Sequence, residues 1–166
     1  LSGAAEFALE QAAELLARAE RPVLLAGHGV AMAGAADDLL RFAEVSGVPV
    51  GTTLLGLGVF PQQHPQSLGM VGMHGTIQAN LAMQHADLVI GVGMRFDDRV
   101  VGRAADFAPH ARIVHVDLDP KSFGRVVRAD VPVLADARAA LAAWRKLVRP
   151  RPSAFAAWWT RLRQWA

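Results

Sequence analysis

The sequence contains no cysteine, so disulfide bonds and thiolate metal sites are excluded. It also has no apolar run near the roughly 20 residues that span a bilayer. The N-terminus lacks the basic-then-apolar pattern of a signal peptide. We therefore expect no membrane-spanning segment and a cytoplasmic location.

Lysine is scarce, since Lys121 and Lys146 are the only two in the sequence. Arginine supplies nearly all of the positive charge, and the formal net charge is only +2 although the sequence pI is about 9.9. Most basic residues follow Arg95 and alternate with acidic ones, without the interleaved aromatic residues typical of nucleic-acid-binding surfaces. The charge pattern argues against a nucleic-acid partner.

The composition is that of a globular chain, because 52% of its 166 residues are hydrophobic and 19% are charged. Short apolar runs alternate with helical patterns, which predicts an α/β fold with a doubly wound parallel sheet in one domain. The expected strands are residues 23–26, 48–50, 87–92, 112–116 and 131–134. The expected helices are residues 5–19, 35–45, 76–85 and 136–147. Residues 60–73, rich in Pro, Gly and Gln, are expected to be irregular.

The end of the chain differs from the rest. Pro150 and Pro152 indicate a linker after a main domain over residues 1–149. A last helix follows, with Trp158, Trp159 and Trp165 at helical spacing. We expect these indoles to serve packing or subunit contacts.

Two glycine-rich segments, residues 69–76 and 91–100, stand out as a candidate ligand site. The second crowds two arginines and two aspartates directly after an apolar strand pattern. In parallel sheets, ligands bind at the carboxyl ends of the strands. We expect both segments to meet residues 27–29, 52–55, 117–118 and 136–137 in one crevice.

The residues in these segments also have plainer interpretations. The GHG sequence at 27–29 begins like a dinucleotide fingerprint, but Met32 stands where a third glycine is needed and Gly47 stands about where an acid for the ribose is needed. Alone it favours a tight turn over a nicotinamide site. His74 is more typical of a structural hydrogen-bonded group, and Asp136 is equally suited to cap the following helix.

The charged loop is open to two interpretations as well. Mixed charges are usually a solvated salt-bridge cluster. At a strand end, however, Arg95 and Arg99 offer donors suited to phosphate or carboxylate, while Asp97 and Asp98 would fix their rotamers. Asp117 sits where a carboxylate can accept hydrogen bonds from a ribose.

Several motifs recur in a fixed order: TLLGLG at 53–58, FP at 60–61, HP at 64–65, GMHGT at 72–76 and RFDDRV at 95–100. Together they resemble the central domain of the catalytic subunits of the acetohydroxyacid synthase (acetolactate synthase) family. The resemblance runs from about residue 21 to residue 136. It implies a Rossmann-like middle domain that binds FAD, with residues 150–166 leading to a further domain.

The resemblance also implies the rest of such an enzyme. Outer domains would bind thiamine diphosphate and Mg²⁺ between subunits, and the enzyme would condense pyruvate with a second 2-keto acid in branched-chain amino-acid biosynthesis. A homo-oligomer and a regulatory subunit are implied as partners. This sequence has no Gly-Asp-Gly signature for the diphosphate metal and no activating glutamate, so we expect it to be inactive alone.

Carried over residue by residue, the resemblance implies a set of flavin contacts: Gly27, Gly29, Thr53, Leu54, Met73, His74, Gly93, Arg95, Asp97, Arg99, Val100, Asp117, Leu118, Asp136 and Ala137. Arg99 is also expected to bind the carboxylate of the acceptor keto acid. His28 and Met94 replace smaller residues and would crowd a ligand. The alternative is a ligand-free structural middle domain of another thiamine-diphosphate-dependent carboligase or decarboxylase.

Overall fold

The computed structural model describes residues 1–151 and 153–166, with the backbone alone at Asp98 and Arg99. Six strands form one sheet in the order β3-β2-β1-β4-β5-β6, and every neighbouring pair is parallel. The strands are β1 (Pro22–Ala26), β2 (Val50–Thr52), β3 (Ser67–Met70), β4 (Leu88–Val92), β5 (Arg112–Asp117) and β6 (Val131–Leu134). The predicted doubly wound parallel α/β fold is confirmed.

In the described residues, seven helices connect and cover these strands. They are α1 (Gly3–Arg18), α2 (His28–Met32), α3 (Ala36–Ser46), α4 (Ile77–His85), α5 (Asp98–Val101), α6 (Ala137–Leu147) and α7 (Ala156–Gln164). Short 3₁₀ turns occur at Leu54–Gly56, Ala104–Asp106 and Pro120–Ser122. Within residues 1–151 and 153–166, no helix has both the length and the apolar character needed to cross a bilayer.

Local sequence explains where the main helices begin and end. The side chains of Ser2, Thr76 and Asp136 each accept a hydrogen bond from the backbone amide three residues later, which caps α1, α4 and α6. Gly47 ends α3 in the left-handed conformation, with φ of 77°. The predicted boundaries of these four helices therefore lie within a few residues of the observed ones.

The core lies on both faces of the sheet. All five residues of β1 and of β4 are buried, as expected for central strands covered by helices on both sides. On one face α3 packs against α6, where the rings of Phe42 and Trp144 lie 4.8 Å apart between centroids. The edge strand β6 instead alternates between buried and exposed residues.

Two expectations about the strands were wrong. The segment 60–73, predicted to be irregular, contains the edge strand β3, which pairs with β2 through a register irregularity at Val50 and Gly51. Its Ser and Gly residues have low β propensity, so pairing with β2 decides its conformation. The second strand runs over Val50–Thr52 and not over residues 48–50. Pro49 has no amide hydrogen to donate to a ladder.

The last helix, α7, packs against the amino end of the sheet. Trp158 donates its indole N–H to the carbonyl oxygen of Pro22 at 3.0 Å, and Trp159 donates to that of Gly47 at 3.1 Å. Phe155, Trp158 and Leu162 are buried. Trp158 and Trp159 therefore make packing contacts within the chain, one of the two roles expected for these indoles.

Candidate functional site

The strand order places a topological switch point between β1 and β4. The chain leaves β1 towards β2 and leaves β4 towards β5, so the two connections diverge and open a crevice at the carboxyl ends. A cleft of about 1020 Å³ lies there, at the upper end of the usual size of small-molecule sites. Segments that follow all six strands contribute to its lining.

Most of the predicted contact residues meet in this cleft. Thirteen of the fifteen line it, namely Gly29, Thr53, Leu54, Met73, His74, Gly93, Arg95, Asp97, Val100, Asp117, Leu118, Asp136 and Ala137. Gly27 does not line it. The side chain of Arg99 lies outside the described residues, so its predicted roles stay predictions.

Gly27, Gly29 and Gly93 let two backbone segments touch at the switch point. The Gly29 amide donates to the Gly93 carbonyl at 2.8 Å, and the Gly27 amide donates to that of Val92 at 3.0 Å. A Cβ on Gly27 would lie 2.4 Å from the Cβ of Met94, and one on Gly29 would lie 2.6 Å from the Cα of Gly93. The tight-turn interpretation of this segment therefore has a structural basis, independent of any ligand.

The loop after β4 presents charge to the cleft. Arg95 is exposed, and its guanidinium has no hydrogen bond or ion pair with any group in the described part of the chain. Asp97 is also exposed, and its carboxylate accepts a hydrogen bond from the Val100 amide at 3.3 Å, at the start of α5. A planar guanidinium in this setting suits a phosphate or carboxylate.

Two carboxylates contribute to the lining from the segments at the ends of β5 and β6. Asp117 accepts a hydrogen bond from the Asp119 amide at 2.9 Å. Asp136 accepts one from the Ala139 amide at 3.0 Å, which confirms the predicted cap of α6. Since a carboxylate has several acceptor positions, each can still accept hydrogen bonds from ligand hydroxyls.

The side of the cleft after β2 and β3 is held by local hydrogen bonds. The Thr53 hydroxyl accepts from the Gly56 amide at 3.2 Å, which caps the 3₁₀ turn there. The side chain of Asn80, in α4, forms two hydrogen bonds with the backbone of Gly72. It accepts from the Gly72 amide at 2.9 Å and donates to the Gly72 carbonyl at 2.8 Å. This pair fixes the loop that carries Met73 and His74.

Large apolar side chains stay exposed around the cleft, which is unusual for groups that folding would otherwise bury. Met73 is 83% exposed and Met32 is 77% exposed. Leu55 and Leu118 are also mostly exposed. An apolar wall of this kind suits the flat faces of an aromatic ligand.

Four lining residues fall outside the segments that were expected to form the crevice, namely Met32, Ala33, Val116 and Ala135. Five others lie within those segments but were not among the expected contacts, namely His28, Leu55, Met70, Val71 and Met94. The short helix α2 went unrecognised because 27–29 indicated only a turn. Once α2 is known, Met32 and Ala33 follow, since they lie three and four residues after Gly29 on the same helix face. Met94, expected to crowd a ligand, is buried against Gly91 and Gly27.

The lining as a whole suits an elongated nucleotide cofactor. Exposed apolar groups can face aromatic rings, Arg95 can face phosphate, and Asp117 and Asp136 can accept ribose hydroxyl hydrogens. In the described part of the chain, no group of three or more His, Asp or Glu side chains is arranged to hold a metal ion. The donor set therefore fits a dinucleotide such as FAD.

A comparison with protein families agrees with this geometry. Residues 9–144 match the family described as thiamine pyrophosphate enzyme, central domain. The chain belongs to this family. The matched region contains all six strands and the whole cleft lining, and it ends before α7.

Individual relatives give finer detail. The chain is 53% identical over 130 residues to a probable acetolactate synthase large subunit of Methanocaldococcus jannaschii, covering 78% of this chain and 22% of the relative. It is 49% identical over 134 residues to the acetolactate synthase large subunit of Corynebacterium glutamicum, covering 81% of this chain and 21% of the relative. With an acetolactate synthase of Mycobacterium bovis it shares 44% identity over 158 residues, covering 93% of this chain and 26% of the relative. The chain spans about a quarter of the length of these relatives.

Proposed function

We propose that this central domain belongs to an acetolactate synthase large subunit and binds FAD in the cleft at the carboxyl end of its sheet. The observation that carries the proposal is the convergence of thirteen residues, from segments after all six strands, on one cleft of about 1020 Å³. The similarity to acetolactate synthases of three organisms supports the choice of enzyme.

In this proposal, different parts of the cleft bind different parts of the cofactor. Arg95 binds the diphosphate, because a guanidinium pairs with phosphate oxygens through charge-assisted hydrogen bonds. Asp117 and Asp136 accept hydrogen bonds from hydroxyl groups of the cofactor. Met32 and Met73 pack against ring faces. The bound flavin has no net redox part in the reaction and serves to shape the site beside it.

The proposal extends to the complete enzyme. It would condense pyruvate with a second 2-keto acid in branched-chain amino-acid biosynthesis, in the cytoplasm, with thiamine diphosphate and Mg²⁺ held by domains outside these 166 residues. It would assemble as a homo-oligomer with a regulatory subunit. Residues 150–166 would lead from the central domain to the next one, and Arg99 would bind the acceptor carboxylate.

The test is a fluorescence titration of FAD into the complete polypeptide that carries this chain, with FMN and NAD as comparison ligands. We expect saturable binding of FAD and much weaker binding of the other two. FMN lacks the adenosine half of FAD, and NAD lacks the flavin ring. Absence of FAD binding would favour the alternative, a middle domain that only organises the subunit.

A second titration on residues 1–166 alone separates the cleft from its surroundings. Every residue that we assign to FAD lies in this segment, so the isolated chain should keep a measurable part of the affinity. If the complete polypeptide binds FAD and variants of Arg95 and Asp117 bind it equally well, the flavin site lies elsewhere and the cleft assignment is wrong.

A further inference from the structure

His115 is a buried polar residue that lies beneath the cleft. It occupies the middle of β5, opposite Gly91 of β4, and is 0% exposed. Its side chain does not line the cleft, whereas the following residues Val116 and Asp117 do. A buried imidazole is costly unless its polar atoms are used, so its position calls for a structural reason.

The two ring nitrogens of His115 have different surroundings. Nε2 lies 2.8 Å from the carbonyl oxygen of Met94, while Nδ1 is buried with no hydrogen-bond partner among the described groups. The rings of Phe96 and Phe123 meet the imidazole edge-on, with centroids at 4.8 and 5.2 Å. A charged imidazolium would need partners for both N–H groups, and this aromatic surrounding offers one.

The protonation state follows from burial. Burial lowers the pKa of His115, and this outweighs the opposing effects of the Met94 carbonyl and of Asp117. The nearest carboxylate oxygen, on Asp117, lies 3.7 Å from Nε2, beyond hydrogen-bond distance. The imidazole is therefore neutral near pH 7. Its one N–H is on Nε2 and donates to Met94.

This hydrogen bond fixes a peptide of the charged loop. The peptide group between Met94 and Arg95 contains the Met94 carbonyl and the Arg95 amide. Because this peptide is trans, its C=O and N–H point in opposite directions. Holding the carbonyl towards His115 thus directs the Arg95 amide away from it. That amide has no hydrogen-bond partner among the described residues, and Arg95 lines the cleft.

Gly91 completes this arrangement. A Cβ on Gly91 would lie 2.7 Å from the ring of Phe96, so only glycine lets that ring fold back over the sheet onto His115. Phe96 follows Arg95 directly. The loop is consequently held on both sides of Arg95, by the hydrogen bond to Met94 and by the packing of Phe96.

We propose that His115 is a positioning residue of the cleft, which orients the Met94–Arg95 peptide so that the Arg95 amide and guanidinium together bind an anionic oxygen of the ligand. This inference rests on the proposed function only for the identity of that ligand. His115 itself touches no ligand atom and acts through the loop.

The test compares two variants in the complete polypeptide. His115→Leu keeps approximate volume and removes the donor, whereas the side-chain amide of His115→Gln can still donate close to the position of Nε2. We expect FAD affinity to fall about tenfold in His115→Leu, as for loss of one buried hydrogen bond, and to recover largely in His115→Gln. Leu9→Ala, in α1 and away from the cleft, is the control for a general loss of stability.

Hydrogen exchange gives a readout that needs no ligand. A peptide covering residues 93–101 contains two hydrogen-bonded amides. The Gly93 amide donates to the Val116 carbonyl at 2.9 Å, and the Val101 amide donates to the Asp97 carbonyl at 2.8 Å. Exchange in this peptide should be faster in His115→Leu than in the unaltered protein, His115→Gln or Leu9→Ala. If the unaltered protein does not bind FAD, the proposed function is wrong. In that case the hydrogen-exchange measurement alone decides whether His115 holds the loop.

Three results would overturn the inference. The first is equal exchange in all four proteins. The second is an equal fall in affinity for His115→Leu and His115→Gln, which would make the residue a packing group only. The third is an equal fall in Leu9→Ala, which would make the effect one of overall stability.

Discussion

The two ends of the sheet are completed in different ways. At the amino end, Phe155 and the α7 residues Trp158 and Leu162 are buried, and two indoles of α7 donate hydrogen bonds to backbone carbonyls. At the carboxyl end, Met32 and Met73 stay exposed around a large cleft, and glycines let the backbone segments approach closely. The molecule thus covers the end where no ligand is expected with packed indoles and leaves apolar surface unpacked at the end where one is expected.

The comparison teaches how stability and binding are divided in one fold. Buried aromatic side chains contribute stability through the area that they remove from water. Exposed methionines contribute none of this, nor does the Arg95 guanidinium, which has no ion pair within the described part of the chain; these groups bind a ligand when one covers them. Substitutions at the amino end should therefore change unfolding, and substitutions at the carboxyl end should change binding.

The largest effect is expected at the amino end. Trp158→Ala removes a buried indole and leaves the Pro22 carbonyl without its partner, so the free energy of unfolding should fall by about 3 to 5 kcal/mol. Denaturant unfolding followed by circular dichroism measures this. In conditions where the variant stays folded, FAD affinity should be unchanged, and a parallel loss of affinity would mean that the two ends are not independent.

Arg95→Ala tests the carboxyl end. Loss of a charge-assisted contact with phosphate should weaken FAD binding by about 1.5 to 3 kcal/mol, roughly ten- to a hundredfold, with little change in unfolding. Fluorescence titration measures the affinity. Arg41→Ala, at an exposed position of α3, is the matched control and should bind FAD normally. Unchanged affinity in the Arg95 variant would remove this residue from the site.

Gly29→Ala should reduce both stability and FAD binding, because Gly29 makes a backbone contact of the fold and also lines the cleft. The added Cβ would lie 2.6 Å from the Gly93 backbone, and such overpacking costs about 1 to 3 kcal/mol of stability. Gly3→Ala, where a Cβ meets nothing within 4 Å, provides the control. Thermal melts of both variants should differ clearly, and similar melts would show that the backbone contact relaxes at little cost.

The smallest effect concerns pH. Burial lowers the pKa of His115 in the folded state below its ordinary 6.5, so the unfolded chain takes up this proton first as pH falls. Below about pH 6.5 the unaltered protein should lose stability relative to His115→Gln, by at most about 1.4 kcal/mol per pH unit. Denaturant unfolding at several pH values tests this, and parallel curves for the two proteins would contradict it.

Sequence patterns predicted the fold well where burial is complete. The apolar run at the fourth strand, bounded by Asp87 and Gly93, predicts a central strand, and β4 is buried throughout. The same reasoning failed at β3, because Ser67 and Gly69 carry no strand signal of their own. It also overlooked α2, which has only five residues and no side-chain cap.

The candidate site was predictable for a related reason. Glycines and charges at strand ends are visible in a sequence, and parallel strands bring their carboxyl ends to one edge. The exposed Met32 was not predictable, because it depends on a helix turn that the sequence did not reveal. The role of His115 was equally hidden, since a histidine inside an apolar strand pattern gives no sign of the carbonyl that it bonds.

The sequence by itself determined the alternation of strands and helices, the caps at Ser2, Thr76 and Asp136, and the set of residues at the strand ends. These depend on local periodicity and on side chains that bond amides three residues away. Only the tertiary structure decided the edge strand β3, the docking of α7 on the strand starts, and the bond from His115 to the Met94 carbonyl. Each of these needs a partner distant in sequence, because pairing, burial and buried hydrogen bonds depend on which segments the fold brings together.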